Sequence, residues 1–300
     1  QYWAYRLSGI LANEVTSLGC HTDLWNYNAG DYSTLVDAMG WRKFMPPLRR
    51  ADEVLGPVLP AVAQLTGLDP HTPICCGIHD SNASLYPHLA AQQQPFSVVS
   101  TGTWVICMGV GDAAVELDAA RDTLMNVNAL GQPVPSARFM GGREYQILST
   151  EFGDTPVEAD AELILSRQAM LLPSVVGACG PFPYHKLKWL NADGLTAAQK
   201  QIAASYYLAM MTASCLNLIK AQGDIIVEGP LVENSFYLQM LSAATGRAIK
   251  FSRYIGTGTT LGAAHLASSR TTAGVYRNFT LAGDGKVEIY ATAWVKEVHS

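Results

Sequence analysis

The chain has 300 residues, 49% of them hydrophobic and 15% charged, with a net charge of −5. That length holds one large domain or two ordinary ones, and the low charged fraction suits a large buried core. The acidic balance, with no Lys/Arg run longer than Arg49-Arg50, argues against an electrostatic nucleic-acid partner.

The opening "QYWAYRLSG" reads as a helix ending at Gly9, not as a signal peptide. Residues 33–39, "STLVDAM", form a short helix with Ser33 as N-cap and Gly40 past its end. Pro46, Pro47, Pro57 and Pro60 punctuate the connection that follows. "TPICCGI" is a short apolar strand, expected to be covered on both faces. A composition change at "AAQQQP" (90–95) marks a candidate boundary. Residues 96–110, "FSVVSTGTWVICMGV", read as a hairpin around Thr101-Gly102. A helix near 141–150 follows, then a long helix at 202–221. After them come the strand 224–230, a helix over 234–246 ending at Gly246, the strand 248–253 and a last helix over about 258–269. Ser, Thr, Tyr and Asn along 202–219 mark a buried core helix, not a membrane span. The alternation in the second half argues for an α/β architecture without solenoid repeats. Six cysteines, Cys20, Cys75, Cys76, Cys107, Cys179 and Cys215, form no C-x-x-C pair. They fit a reduced cytoplasmic protein.

Five segments carry candidate chemistry. In "GIHDSNASL" (77–85), Asp80 follows a strand. It either caps a helix or, at the strand's end, takes a proton from a substrate hydroxyl. Metal binding by Cys75, Cys76, His79 and Asp80 fails on geometry. Within a strand Cys75 and His79 would share a face but lie roughly 13 Å apart, at ~3.3 Å per residue. "STGTW" (100–104) is an ordinary hairpin turn or a cradle for phosphate oxygens. In "MGGREYQ" (140–146), Gly142 and Gln146 lie one turn apart on one helix face, at a glycine-led N-terminus that either binds an anion or only makes a tight entry. In "EGPLVENSFYLQ" (228–239), Asn234 is a good N-cap, and Gly229 ends a strand where a nucleotide can lie. In "GTTLGAAHLA" (258–267), Gly262, Ala263 and Ala264 allow a helix to pack closely on a sheet or a flat ring.

In this order the segments resemble the FGGY carbohydrate kinases, with the closest likeness to deoxyketose kinases of the rhamnulokinase and fuculokinase type. "HDSNASL" resembles their H-D-T segment, "STGTW" their phosphate hairpin, and "GPLVENSFYLQ" their adenosine segment, with Pro230 in place of a second glycine. "YRLSG" and "EVTSLGCHTDLW" resemble the stretch before the catalytic aspartate. The likeness covers about residues 3–268. It implies an α/β, ribonuclease H-like (actin-like ATPase) fold with two domains and a cleft between them. It also implies phosphorylation of a ketose, deoxyketose or polyol with ATP and Mg2+ as cofactors.

By the same resemblance Asp80 is the general base, and His79 and Ser81 help bind the sugar. Gly102 and Thr103 contact ATP phosphates, Gly142 and Gln146 line the nucleotide site, and Gly229 and Asn234 flank the adenosine. No protein metal ligand is expected from the set. Residues 1–95 are expected to form the C-terminal part of a first, sugar-binding domain, and 96–270 the ATP-binding domain. Residues 271–300 are expected to form a C-terminal tail of helix and loop. The family's D-x-G-T-[ST] phosphate hairpin is absent from the 300 residues, so the first domain is expected to be incomplete and these residues alone inactive. The expected partners are a small-molecule sugar and ATP, with no nucleic acid, no membrane and a family-level homodimer. Two other readings are a non-catalytic sugar- or nucleotide-binding relative and a hydrolase using His79 or Asp80. The hydrolase reading lacks a nucleophile elbow.

Overall fold

The computed structural model describes residues 1–20, 22–111, 115–153, 155–252, 258–268, 276–279 and 285–300. In chain order, α1 (Tyr2–Ser8), α2 (Val15–Cys20), β1 (Trp25–Asn26), β2 (Asp31–Tyr32), α3 (Thr34–Ala38), β3 (Val54–Pro57), α4 (Pro60–Thr66), β4 (Pro73–Cys75) and α5 (Asp80–Ala91) come first. Then follow β5 (Phe96–Thr101), β6 (Val105–Val110), β7 (Thr123–Val127), β8 (Pro133–Phe139), α6 (Gly141–Leu148), α7 (Glu158–Arg167), β9 (Met170–Leu172) and β10 (Lys188–Leu190). Last come α8 (Ala197–Leu218), β11 (Asp224–Glu228), α9 (Ser235–Thr245), β12 (Ile249–Ser252), α10 (Gly258–Leu266), β13 (Tyr276–Phe279) and α11 (Lys286–Val298). They fall into two compact units. The first is 1–92, 125–134 and 256–274; the second is 93–124, 135–255 and 275–300.

The second unit is built on a mixed sheet with the strand order β13-β12-β11-β5-β6-β8. Strands β5, β11 and β12 are parallel, whereas β6 runs antiparallel to β5 and to β8. Their continuous apolar runs, such as Val98-Val99 and Ile225–Val227, are fully buried, as expected of strands with both faces covered. Helix α8 is the central helix of this core. It starts at a capping box in which Thr196 Oγ1 accepts from the Gln199 amide and Gln199 Oε1 accepts from the Thr196 amide. That box places the start at Ala197, earlier than the expected 202. Most of the helix is buried, and Thr212 meets Tyr237 of α9 at 3.0 Å through their hydroxyls. Helix α11 closes the core with Trp294, whose indole N–H donates to the Leu171 carbonyl at 2.8 Å, and with Tyr290, which donates to the Ala169 carbonyl at 2.9 Å.

In the first unit α1 ends at Gly9, in the left-handed conformation at φ 76°, where a side chain would be strained. The "TPICCGI" run differs from expectation. Only Pro73–Cys75 is strand, paired antiparallel with β3 in a two-stranded sheet, with Pro73 exposed and Ile74 and Cys75 half-buried. The Cys76 and Gly77 amides then donate to the Glu53 and Ala51 carbonyls, so the chain leaves strand geometry before α5.

The small residues of α10 also act differently than expected. Gly262 serves a helix–helix contact, not a contact with a sheet. A Cβ on Gly262 would lie 1.6 Å from the Ala83 carbonyl oxygen of α5, whereas Ala263 and Ala264 are exposed. The ends expected at Arg253 and Ser269 lie outside the described residues.

Candidate functional site

The residues expected to carry chemistry fall into two clusters, one in each unit. In the first, the chain turns from β4 through Gly77, at φ 90°, into α5. His79 is the N-cap residue, with extended backbone and no side-chain cap bond. Asp80 is therefore not the cap; it is the first helical residue. Its side chain is 75% exposed. Its Oδ1 accepts from the Ser81 amide at 2.6 Å and lies 3.2 Å from His79 Nε2 and 3.4 Å from Ser81 Oγ. A carboxylate in the first turn sits favourably against the N-terminal end of the helix dipole. His79, Asp80 and Ser81 thus form one polar group with a solvent-facing carboxylate, while the backbone beneath is tied down. The His79 amide donates to Thr16 Oγ1 at 3.0 Å. Thr259 of α10 approaches the Asp80 carbonyl at 3.4 Å and the Ser84 hydroxyl at 3.0 Å. Neither Thr16 nor Thr259 was singled out by sequence.

In the second unit the β5–β6 turn closes through the Gly102 amide, which donates to the Trp104 carbonyl at 2.9 Å. Two further glycine segments lie directly on this hairpin. A Cβ on Gly142, in the first turn of α6, would be 2.0 Å from the Gly102 carbonyl oxygen. A Cβ on Gly229, at φ 85°, would be 2.0 Å from the Thr101 carbonyl oxygen. The hairpin is fastened as well as touched. The Arg143 amide donates to the Thr103 carbonyl at 3.3 Å. Thr101 Oγ1 donates to the Glu228 carbonyl at 2.6 Å and accepts from the Leu231 amide at 3.2 Å.

The result is a cavity of about 900 Å3 lined by Gly102, Thr103, Gly142, Gln146 and Asn234, among others. Gly229 does not line it; it stands behind Thr101. Asn234 has both ends of its amide engaged. Oδ1 caps α9 by accepting from the Tyr237 amide at 3.0 Å, and Nδ2 donates to Ser205 Oγ at 2.9 Å. Gln146 Oε1 accepts from Arg143 at 2.8 Å. Further lining residues, Tyr145, Gln201, Ser205, Leu231 and Phe236, were not anticipated. The available signal was Gln201 and Ser205, polar residues one turn apart on one face of the helix.

Glu144, beside Gly142, faces the interior and is 1% exposed. Its Oε1 accepts from the Val176 amide at 3.1 Å. Burial pushes its carboxyl up to about 7, against the smaller lowering by the Val176 and Tyr207 hydrogen bonds.

Among the described residues no three His, Cys, Asp or Glu converge on a point a metal ion could occupy. None of the described helices is long and apolar enough to cross a membrane. All six cysteines are free.

Residues 93–274 match the carbohydrate kinase FGGY C-terminal domain. L-fuculokinase of Haemophilus influenzae is 32% identical over 105 residues, a match that covers 34% of this chain and 22% of that protein. A carbohydrate kinase from Novosphingobium aromaticivorans superposes on 100% of this chain with a TM-score of 0.86 and 32% identity, and the chain covers 67% of it. Plasmodium falciparum glycerol kinase with ADP shares the fold at a TM-score of 0.77 and 16% identity, over 99% of this chain and 65% of its own. The chain thus spans about a fifth of the curated relative and two thirds of these solved structures. With its ribonuclease H-like, actin-like ATPase fold, the chain belongs to the FGGY carbohydrate kinase family.

Proposed function

We propose that the full-length protein phosphorylates a sugar or polyol hydroxyl with ATP. The observation that carries this reading is the convergence of three glycine segments, far apart in sequence, on one cavity. The glycines at 142 and 229 let the three backbones pack together, and the exposed Gly102 and Thr103 leave the hairpin tip open to phosphate oxygens. Gly102 and Thr103 would meet the phosphates. Gly142 and Gln146 would line the nucleotide, and Asn234 would shape the adenosine side, with Gly229 setting the turn beneath it. Asp80 would take the proton from the acceptor hydroxyl as its oxygen bonds to the γ-phosphorus and ADP leaves, with His79 and Ser81 beside the acceptor. Such transfer is largely positioning and charge neutralisation. The described residues hold no metal cluster of their own; Mg2+ bound to ATP keeps much of its shell on phosphate and water and would supply charge neutralisation.

The acceptor class follows the relatives. One is called an L-fuculokinase, and solved neighbours are called glycerol, gluconate and xylulose kinases. A ketose, deoxyketose or polyol is the class to test. Six free cysteines fit the reducing cytoplasm, and a homodimer is the assembly to look for.

The test is ADP release by the full-length protein with Mg2+ and ATP, against L-fuculose, D-xylulose, glycerol and D-gluconate. Acceptor-dependent release is expected. ATP binding without turnover on any acceptor would instead support a non-catalytic relative, and neither binding nor turnover would overturn the reading.

A further inference from the structure

Beneath Asp80 lies a carboxyl that the reaction does not use. Glu14 is fully buried in the first unit. Its Oε2 accepts from the Thr16 amide at 3.0 Å, the Thr16 hydroxyl at 2.5 Å and the Ser17 amide at 3.2 Å. Among the described residues its Oε1 has no hydrogen-bond partner. Burial raises its pKa, and the bonds from Thr16 and Ser17 offset part of that rise. Capping of α2 explains the two amide bonds, but Ser, Thr or Asp would cap without burying a long acidic chain. The third bond has a further consequence. Because the Thr16 hydroxyl hydrogen is committed to Glu14, its lone pairs face the other way, and one receives the His79 amide at 3.0 Å. That amide belongs to the residue before Asp80.

We propose that Glu14 and Thr16 are positioning residues that fix the backbone of His79 and so the placement of the Asp80 carboxylate. The Asp80 Cα is held from both sides. Behind it, His79 N–H is pinned to Thr16; ahead of it, the Ala83 amide donates to the His79 carbonyl at 2.8 Å and commits the chain to α5. Of these two ties only the first depends on a side chain, which is oriented by Glu14; the Thr259 hydroxyl adds a longer bond to the Asp80 carbonyl at 3.4 Å. An exposed carboxylate on a single χ1–χ2 pair inherits any error in its Cα position. A displacement of ~1 Å in a reacting group can cost ~10²-fold in rate.

This inference rests on the reading of Asp80 as general base, and the experiment separates the two. Thr16→Val, Thr16→Ser, Glu14→Gln and Asp80→Asn are made in the full-length protein and assayed by ADP release with the best acceptor of the panel above. Amide hydrogen exchange at His79 is measured in parallel.

Thr16→Val should lower kcat by about 10- to 100-fold with the KM for ATP unchanged. It should also speed exchange of the His79 amide, and Thr16→Ser should restore both. Glu14→Gln, which keeps an acceptor at this position, should fall between them and serves if Thr16→Val does not fold. Wild-type kcat in Thr16→Val, or His79 exchange as slow as in wild type, overturns the inference while leaving Asp80's role intact. Full turnover in Asp80→Asn instead overturns the general-base reading, and in that case His79 exchange alone decides whether the Thr16 tie exists.

Discussion

Gly142→Ala is the sharpest single perturbation of the cavity. The new Cβ would stand 2.0 Å from the Gly102 carbonyl oxygen, 2.8 Å from its carbon and 3.1 Å from the Thr103 Cα. Carbon–oxygen contacts settle near ~3.3 Å or beyond, so hairpin and helix must part by over an ångström. Every atom in the way is backbone, and no rotamer change relieves the clash. The Arg143 amide bond to the Thr103 carbonyl, already 3.3 Å, would be lost. Overpacking of this kind costs ~1–3 kcal/mol, and the better helix propensity of alanine returns at most ~1 kcal/mol. The variant should therefore lose about 1–2 kcal/mol of stability and at least ~10-fold in ATP affinity, which corresponds to ~1.4 kcal/mol. Urea unfolding and titration with a fluorescent ATP analogue measure the two effects. Gly177→Ala is the control, because a Cβ there meets nothing within 4 Å. Wild-type stability and affinity in Gly142→Ala would refute the packing argument.

Three further predictions concern the same unit. Glu144 has its carboxyl raised from 4.5 to about 7 by burial. Between those values the folded protein holds a proton that the unfolded chain does not, so this contribution to stability is full below 4.5 and fades as pH rises through 7. The span corresponds to about 3 kcal/mol. The urea midpoint of wild type should fall relative to that of Glu144→Gln, whose side chain stays neutral, as pH rises from 5 to 8, and parallel profiles would contradict this. Asn234→Ala removes the α9 cap and the bond to Ser205. It should cost ~1–2 kcal/mol in urea unfolding and weaken ATP binding, whereas Asn234→Asp should keep the cap. Thr101→Val leaves the Leu231 amide without its acceptor and should cost ~1–3 kcal/mol by the same measurement.

The segments that needed glycine were the most legible. A backbone-to-backbone approach tolerates no Cβ, and that demand shows in the residue type alone at Gly142 and Gly229. The hairpin at 96–110 was equally clear, because its strands are continuously apolar and its turn is small. What sequence could not supply was the partner of each feature. Gly262 announced a close approach but not that α5 is the helix approached. The apolar "TPICC" resembled a buried strand, yet it pairs only with β3 in a two-stranded sheet. The tie between Thr16 and His79 spans 63 residues and leaves no local pattern. Residues 151–196 hold α7, β9 and β10, none of them expected from sequence, although the Val157 amide bond to Asp160 that opens α7 is local.

The measurement that bears most directly on the central claim is turnover by Asp80→Asn in the full-length protein, with ATP-analogue affinity determined on the same sample. If Asp80 takes the proton of the acceptor hydroxyl, kcat falls ~10²- to 10⁴-fold while nucleotide affinity and the unfolding midpoint stay at wild-type values. Turnover retained in Asp80→Asn would contradict the account and leave the exposed carboxylate at the start of α5 with no role beyond its favourable place in the helix dipole.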